Sequence, residues 1–463
     1  MAYVSSRLDR KLLGDTAWNY SAFALMAGTG IILNFFIAIQ FGVETLGVFN
    51  QIYAVYIVAA QLAAFGMHDS AQKHTAEHHG QEDERQLIAR SANLAALLIG
   101  AGVALVIYLA APLIGRVVNS ASVGLGIAWA APGLLFFALN KVQMGILNGE
   151  RRMQAFAVMQ GMRVLTILSV ILVAEAQEWP SHLLGASFTI AELVIFGPLL
   201  ILVRPWQGSG NATGVRNWRR RHLNFGAKAL PNGFLAESYV RVDVLMLAIF
   251  VSDEAVGVYS FAAMFIEGLY QVPTVIRTVV NPVLVRLIDA GDRRALARFG
   301  RRVMIMSLGV FVIAAGLACL IFPSLGPFFP DDLVSRAYPV LSIIIFGLVI
   351  YAAFVPLDFM LMQAGQPGWQ SALMSLNISV NAALNITLIP IYGIHGAAVA
   401  TATAFAVSAV TLNSAVWWRL GMRGGLIFAE TRLAGASTQQ AGDRYRHPVQ
   451  RRSAPARQNR PKR

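Results

Sequence analysis

The hydrophobic pattern of this chain is a series of long apolar runs separated by short polar connections. The run from Thr16 to Val43 holds 28 residues without a charged side chain, and the run from Phe359 to Trp418 holds 60. A helix needs about 20 apolar residues to cross the core of a bilayer, so the second run is long enough for two crossings. Runs of this length indicate helices rather than barrel strands, whose apolar positions alternate. The pattern predicts a protein that crosses the membrane many times.

Twelve spans fit the pattern, and they form two groups of six. The fold class that we expect is therefore an all-α polytopic membrane protein with twelve transmembrane helices in two six-helix lobes. The spans are placed at 16–40, 46–67, 88–111, 124–146, 155–175, 183–203, 227–250, 257–281, 302–322, 337–361, 369–391 and 395–418. The expected domains are a cytoplasmic N-terminal segment at 1–15, a first lobe at 16–203, a basic cytoplasmic linker at 204–226, a second lobe at 227–419 and a disordered basic tail at 420–463.

Composition supports a membrane protein and excludes an ordinary soluble one. Hydrophobic residues make up 56% of the chain and charged residues 13%, whereas a soluble domain has about 25% charged residues. The mean hydropathy is +0.57. The chain therefore lacks the polar surface that contact with water on all sides requires.

The basic residues predict how the chain lies in the membrane. Of its 37 lysines and arginines, 28 fall in the N-terminal segment, in alternate loops and in the tail, and only Arg116 and Arg336 fall in the intervening loops. Cytoplasmic loops of membrane proteins carry the excess of lysine and arginine. We therefore expect both ends in the cytoplasm and the spans in a bacterial inner membrane. The net charge of +13 is read as an orientation signal and an attraction to anionic lipid, not as nucleic-acid binding.

The two groups of spans carry related sequences. Glu44, Gly47 and Val48 precede or open span 2, and Glu254, Gly257 and Val258 recur 210 residues later, at span 8. A second echo pairs Gly185-Ala186 with Gly396-Ala397 at an offset of 211 residues. Because each group has an even number of spans, both enter the membrane from the same side, which predicts parallel repeats about an axis along the membrane normal.

Three stretches resemble the polysaccharide transporter branch of the multidrug/oligosaccharidyl-lipid/polysaccharide exporter superfamily, which includes the O-antigen flippases. These stretches are Leu147 to Arg152 (LNGERR), Ser252 to Ser260 (SDEAVGVYS) and Ile389 to Thr401 (IPIYGIHGAAVAT). The resemblance covers about residues 10–420. It implies a V-shaped pair of six-helix lobes around a central cavity, and alternating access that moves a lipid-linked oligosaccharide from the inner to the outer leaflet.

The expected function is thus a flippase for cell-surface polysaccharide, either O-antigen of lipopolysaccharide or exopolysaccharide. Its partners would be the lipid-linked oligosaccharide, membrane lipids and a polysaccharide polymerase, with no cofactor, no metal site and no enzymatic activity. A cation-coupled multidrug exporter of the same superfamily is the alternative, although such exporters commonly carry an acidic residue in span 1 and here that span has only neutral polar residues. A membrane enzyme ranks third, because the longest outer loop, Pro323 to Ala337, has only about 15 residues.

A small set of ionisable residues lies deep in the predicted spans, where a charge is costly and usually faces a cavity or a partner. The set consists of Arg163, Glu192, Glu237, Arg241, Asp243 and Glu267. Arg163 is the candidate for binding a substrate diphosphate, since a guanidinium offers a planar fork of donors and stays charged. The alternative is that Arg163 pairs with Glu192 on the neighbouring span.

The remaining members of this set have two interpretations each. Glu237 and Arg241 are four residues apart and share a helix face, so an internal ion pair is weighed against a substrate role. Asp243 points elsewhere, towards another helix. Glu192 and Glu267 could bind a proton or a sodium ion, or make structural hydrogen bonds.

Two other polar patterns have simpler interpretations. The stripe of Asn377, Asn381 and Asn385 along span 11 is expected to join helices rather than to line a sugar path. The histidines of the first cytoplasmic loop, His68, His74, His78 and His79, do not have zinc-site spacing. We expect them in a solvated loop.

Overall fold

The computed structural model describes residues 2–206, 212–422 and 425–428, and within these ranges every regular element is helical. The first half contains α1 (Ala2–Gln40), α2 (Val43–Ala64), α3 (Met67–Glu77), α4 (Glu82–Val117), α5 (Ala121–Gly149), α6 (Met153–Ala176) and α7 (Ala186–Val203). The second half contains α8 (Ala212–Phe250), α9 (Asp253–Asp289), α10 (Arg293–Ile321), α11 (Leu333–Ala352), α12 (Met360–Gln363), α13 (Pro367–Leu420) and α14 (Gly425–Phe428). Short 3₁₀ segments lie at Ser181–Gly185, Phe322–Phe328 and Val355–Leu357.

The longer of these helices make twelve membrane crossings. Among the described residues, ten helices are long and apolar enough to span a bilayer. One of them, α13, contains two crossings, because its backbone breaks at Gly393, where φ is 57°. The remaining crossing is α8, which falls outside the ten since its membrane half carries Glu237, Arg241 and Asp243. The predicted all-α fold with two groups of six spans is confirmed.

Local capping explains where several helices begin. The side chain of Ser120 accepts a hydrogen bond from Val123 N and caps α5, and Ser252 does the same from Ala255 N at α9. Asp292 accepts from the backbone nitrogens of Arg294 and Ala295 at α10. Such caps satisfy amide groups that have no partner inside the helix. Gly42, with φ of 86°, supplies the turn between α1 and α2 that a residue with a side chain adopts poorly.

Three predictions about connections were wrong. The first loop is not simply solvated but forms α3, an amphipathic helix with Met67, Ser70 and Thr75 buried. Span 10 does not continue to residue 361, because α11 ends at Ala352 and a 3₁₀ segment follows. The tail begins with a packed helix, since Leu426 of α14 is buried and its nitrogen donates to Asn413 Oδ1. The rest of the predicted tail, 423–424 and 429–463, lies outside the described residues.

Ion pairs show which helix ends lie on the same side of the molecule. Arg151, after α5, pairs with Asp15 of α1, and Arg152 donates to the carbonyl oxygen of Leu202 at the end of α7. Arg85 of α4 pairs with Glu150. We call this the basic side; the sequence predicts it to be cytoplasmic. The helix ends near residues 40–43, 117–121, 250–253 and 328–333 form the opposite side.

The two halves meet mainly through α2, α3 and α4 of the first half, which contact α8 and α9 of the second half. The initial part of α8 lies against α3 and α4, whereas its later part packs on α13. Because α8 thus belongs to both halves, it connects them physically as well as in sequence.

Candidate functional site

The first deep ion pair lies within the first half. Arg163 of α6 has its Nε 2.7 Å from Oε1 of Glu192 on α7, and its Nη2 donates to Oε2 at 3.2 Å. Asn140 of α5 donates to the same carboxylate at 2.8 Å. Only 2% of Glu192 is exposed. The pairing alternative for Arg163 is confirmed, and the carboxylate of Glu192 already has a fixed cation.

The second deep ion pair lies in the second half and corrects an expectation. Arg241 of α8 donates to Oε1 of Glu267 on α9 at 3.0 Å. Within the described part of the chain it forms no ion pair with Glu237, despite their i,i+4 spacing. The guanidinium carbon of Arg241 also lies 4.9 Å from the ring centroid of Tyr53 on α2. Arg241 therefore contacts both halves of the molecule.

A ladder of aromatic rings connects the two arginines. From Arg241 the contacts pass to Tyr53, then to Phe188, Tyr56 and Phe137, with centroid separations of 5.6, 5.0 and 6.2 Å between successive rings. Arg163 lies 5.3 Å from the Phe137 centroid. Guanidinium groups bind well over aromatic faces because the ring quadrupole attracts cations. This row of aromatic rings thus holds one cation from each half.

Two further charged groups lie close to this row without an ion pair. Lys141 of α5 has its Nζ 5.7 Å from the Phe137 ring centroid. Neither Lys141 nor Glu237 has a salt bridge among the ion pairs found in the described ranges. Lys141 contacts the same ring as Arg163. It is a cation that the predicted set missed.

A different arrangement surrounds Asp243 of α8. Its Oδ2 accepts hydrogen bonds from Tyr259 Oη of α9 at 2.9 Å and from Thr401 Oγ1 of α13 at 2.6 Å. Its Oδ1 accepts from Asn385 Nδ2 of α13 at 2.8 Å. Asp243 is 9% exposed, and the described residues place no cationic side chain in an ion pair with it. The expectation that Asp243 faces other helices is confirmed.

The surroundings of Asp243 are rich in oxygen atoms. Asn385 Nδ2 also contacts Oδ1 of Asn381, and Thr401 lies one helical turn from the carbonyl oxygen of Ala397, to which it is 3.0 Å away. Oδ1 of Asn385 is buried and accepts no hydrogen bond from the residues that the structure describes. Oxygen ligands of this kind suit hard cations. A carboxylate with neutral oxygens and one orphan acceptor fits a monovalent cation.

The asparagine stripe participates in this cluster, as the helix-joining interpretation requires. Asn385 joins α13 to α8 through Asp243, and Asn377 accepts from Thr411 Oγ1 at 3.4 Å, which joins the two parts of α13. Thr401 and Tyr259 had not been identified as site residues. The resemblance stretches that contain them, 389–401 and 252–260, were the only sequence signal for them.

On the opposite side the two halves are in close contact at the repeated motif. A Cβ atom on Gly47 of α2 would lie 1.7 Å from the carbonyl oxygen of Asp253, and one on Gly257 of α9 would lie 2.1 Å from that of Val43. Neither position has room for a side chain. The equivalent glycines of the two repeats thus pack on each other, where only glycine permits backbones to approach so closely.

Asp253 fastens this seam. Gln51 Nε2 of α2 donates to its Oδ1 at 2.7 Å, and Ser120 Oγ donates to its Oδ2 at 2.6 Å. Phe35 of α1 contacts Phe261, Phe265 and Phe329 of the second half, with centroids 4.9 to 6.0 Å apart. The side of the molecule opposite to the basic loops is therefore closed by backbone, polar and aromatic contacts between halves.

On the basic side, the histidines lie in a protein interface. His222 of α8 is buried, with Nδ1 2.8 Å from Ser70 Oγ of α3. Burial, together with a smaller effect of neighbouring His74, lowers the pKa of His222 to about 4. Trp218 contacts His74 and His78 and donates to Glu84 of α4 at 2.7 Å. These contacts attach the start of α8 to the first half.

Comparison with known proteins agrees with this architecture. The family model described as polysaccharide biosynthesis protein matches residues 12–288, and a second, described as MatE, matches residues 233–391. A probable low-salt glycan biosynthesis flippase, Agl15 of Haloferax volcanii, is 23% identical over 385 residues, which cover 81% of this chain and 77% of the relative.

Two solved structures have the same fold. The lipid II flippase MurJ in an inward closed conformation has a TM-score of 0.68 at 15% identity, with 87% of each chain covered. A MATE family multidrug resistance transporter in an inward-facing conformation has a TM-score of 0.69 at 14% identity, with 87% of this chain and 94% of the transporter covered. At these identities the likeness describes the fold.

Proposed function

The chain belongs to the polysaccharide biosynthesis protein family, the flippase branch of a superfamily of multi-pass membrane transporters, and from that premise we propose that it translocates a lipid-linked oligosaccharide. The polymer that this serves is cell-surface polysaccharide, O-antigen or exopolysaccharide. The transport direction is from the inner to the outer leaflet of a bacterial inner membrane, with both chain ends cytoplasmic. A polysaccharide polymerase then uses the translocated unit, and the chain itself carries out no catalysis.

The observation that carries this proposal is the row of aromatic rings with one arginine from each half. A lipid-linked oligosaccharide has a diphosphate between lipid and sugar, and guanidinium groups match phosphate oxygens with paired donors. Arg163 and Arg241 are each held by a carboxylate and a ring, so their positions are defined before substrate arrives. Lys141 adds a cation that forms no ion pair within the described ranges.

The contact between the halves supports alternating access. The seam at Gly47 and Gly257 closes the opposite side, so substrate enters from the basic side. Release requires that Asp253 give up its hydrogen bonds to Gln51 and Ser120. Each such hydrogen bond contributes only modestly to stability. The seam can therefore open when another conformation of the transport cycle is stabilised.

Asp243 is the proposed coupling site. Its carboxylate has neutral donors only, so a sodium ion or a proton compensates its charge during the cycle. The oxygens of Asn381, Asn385, Ala397 and Thr401 would complete the coordination of sodium. Because the ligands come from α8 and α13, cation binding changes how these two helices pack on each other. The start of α8 also contacts the first half, so a change in α8 reaches the contact between the halves.

The experiment that tests the proposed function is deletion of the gene followed by analysis of lipid carriers. Lipid-linked repeat units are expected to accumulate on the cytoplasmic leaflet, and the surface polymer is expected to disappear. Restoring the wild-type gene should restore both. If the carriers still reach the outer leaflet and polymer is normal, the proposal is wrong.

A cation-coupled multidrug exporter is the second candidate, favoured by the MatE match over residues 233–391 and by the shared fold. The part of α1 from residue 16 to residue 40 contains no acidic residue, and that argues for the flippase. New sensitivity to cationic dyes in the deletion strain, with polymer unchanged, would favour the exporter.

A further inference from the structure

One charged patch on the basic side is not used by the proposed transport site. It consists of five arginines in the first ten residues of α10, namely Arg293, Arg294, Arg298, Arg301 and Arg302, together with Arg419 at the end of α13. We call it the arginine belt. The five side chains on α10 are exposed, and at 1.5 Å per residue they extend along about 14 Å of helix.

The position of the belt in the fold is unusual for positive charge. The first turn of a helix has the positive end of the helix dipole and therefore favours anions. The first turn of α10 contains no acidic residue. Asp292, just before it, is engaged as the helix cap through the backbone nitrogens of Arg294 and Ala295. The exposed side chains of Arg298 and Arg302 at this end consequently favour an external anion.

The internal repeat supplies a direct comparison. The 211-residue offset relates the start of α10 at Arg293 to the start of α4 at Glu82. There the first turn reads Glu82, Asp83 and Glu84, and protein covers it, since Trp218 donates to Glu84 and Arg85 pairs with Glu150. Orientation in the membrane does not require this asymmetry, because the same helix end has acidic residues in one repeat and only arginine in the other.

Next to the belt, the chain presents a surface suited to lipid. Beyond Arg302, α10 carries exposed apolar side chains, including Ile305, Ile313 and Leu320 at 63%, 66% and 77% exposure. Arg419 is stacked on Trp369 and Trp418, with 3.8 and 4.8 Å to their centroids. Its Nε is buried and has no hydrogen-bond partner among the residues that the structure describes. Tryptophan at this level is typical of the membrane interface.

A contact links the start of α10 to the end of α13, where Arg419 lies. Arg293 Nη1 lies 3.5 Å from the carbonyl oxygen of Gly421, two residues after Arg419. Arginine, rather than lysine, supplies every charge of the belt, and its planar donors match phosphate oxygens. The patch thus combines phosphate-binding groups with an apolar helix face on the side towards the acyl chains.

We propose that the arginine belt binds the headgroup of an anionic phospholipid, such as phosphatidylglycerol, whose acyl chains lie along α10. The bound lipid neutralises the start of α10 and stabilises the packing of α10, α13 and α14. This site is separate from Arg163 and Arg241, so it is independent of the identity of the transported substrate.

The test uses the full-length protein purified in a neutral detergent and titrated with phosphatidylglycerol or phosphatidylcholine. Bound lipid is counted by native mass spectrometry, and the unfolding midpoint is measured in parallel. The variant R298Q/R302Q is expected to bind phosphatidylglycerol about thirtyfold more weakly than the wild type, because each arginine near an anionic lipid contributes about fivefold. Phosphatidylcholine should bind both proteins equally.

A matched control removes the same charge elsewhere. Arg216 and Arg220 have the same i,i+4 spacing and are exposed on the part of α8 that precedes its membrane half. R216Q/R220Q should bind phosphatidylglycerol like the wild type, and R298K/R302K should keep most of the affinity. Equal loss in both glutamine variants would overturn the proposal. So would a rise in midpoint with inorganic phosphate alone that matches the rise with phosphatidylglycerol.

Discussion

Two buried carboxylates, Glu192 in the first half and Asp243 in the second, have opposite surroundings. Glu192 is 2% exposed and is compensated by Arg163, with Asn140 as an additional donor. Asp243 is 9% exposed and receives only neutral hydroxyl and amide donors from Tyr259, Thr401 and Asn385. Both lie in helices that cross the membrane.

The difference indicates which half is suited to ion coupling. A carboxylate with a fixed guanidinium has no need of a mobile cation, because a buried pair compensates itself. A carboxylate with neutral donors retains its charge and gains from a cation that arrives with the transport cycle. The first half therefore presents a fixed, structural pair, whereas the second presents a site whose charge changes.

The largest expected effect breaks the fixed pair. Arg163→Gln leaves Glu192 buried without its cation, so we expect a loss of about 3–5 kcal/mol in the free energy of unfolding. The double variant R163Q/E192Q should recover most of that loss, since the unpaired charge is gone. Reversible unfolding in mixed micelles measures both. Equal stability of the single and double variants would contradict the idea that Arg163 compensates Glu192.

The next effect concerns the mobile charge. Sodium at about a hundred times its dissociation constant should stabilise the wild type by about 2.7 kcal/mol, and Asp243→Asn should abolish this stabilisation. Glu192→Gln should keep it. Unfolding in sodium chloride and in choline chloride at equal ionic strength separates binding from screening. Stabilisation that follows pH in the wild type, with no response to sodium, would identify the proton as the coupling ion.

A smaller effect is expected from one ligand of the cation. Thr401→Val removes the hydroxyl that lies 2.6 Å from Asp243 Oδ2 while nearly keeping the side-chain volume. A hydrogen bond of this kind contributes about 0.5–1.5 kcal/mol, so sodium affinity should fall by up to about tenfold. Thr387→Val on α13, where the hydroxyl contacts only its own helix, is the matched control. The same loss of affinity in both variants would rule out Thr401 as a ligand.

The smallest effect on stability should come from Arg241. Its partner Glu267 has 46% of its side chain exposed, and exposed pairs contribute about 0–1 kcal/mol. Arg241→Gln should therefore leave the unfolding midpoint almost unchanged while transport falls to background, if this arginine binds the diphosphate. Transport at the wild-type rate, with normal protein in the membrane, would show that Arg241 has no substrate role.

The apolar pattern was sufficient for the fold but not for the sites. The run from Phe359 to Trp418 predicted two crossings, and the break at Gly393 separates them. The neighbours of Asp243 come from Asn385 and Thr401, 142 and 158 residues away, and no spacing rule relates such distant positions. The ion pair between Glu237 and Arg241, one of two interpretations of their spacing, is not found among the described residues. Arg241 pairs instead with Glu267 on another helix.

The polar connections were predicted least well. A run with His68, His74 and His78 has the composition of a solvated loop, yet it forms α3 because α8 returns to cover it with Trp218 and His222. The repeat, by contrast, was visible in sequence, but the reason for it was not. Gly47 and Gly257 occupy equivalent positions in the two repeats. At each of them the backbone of the other helix lies too close to leave room for a side chain.

The most direct test of ion-coupled flipping is transport in proteoliposomes that contain a fluorescent lipid-linked oligosaccharide. The account predicts that wild-type protein moves the label between leaflets faster when a sodium or proton gradient is imposed, and that the control variant Thr387→Val retains this response. D243N should show no response to either gradient. A wild-type rate and gradient response in D243N, or no movement of the label by the wild type, would contradict the account.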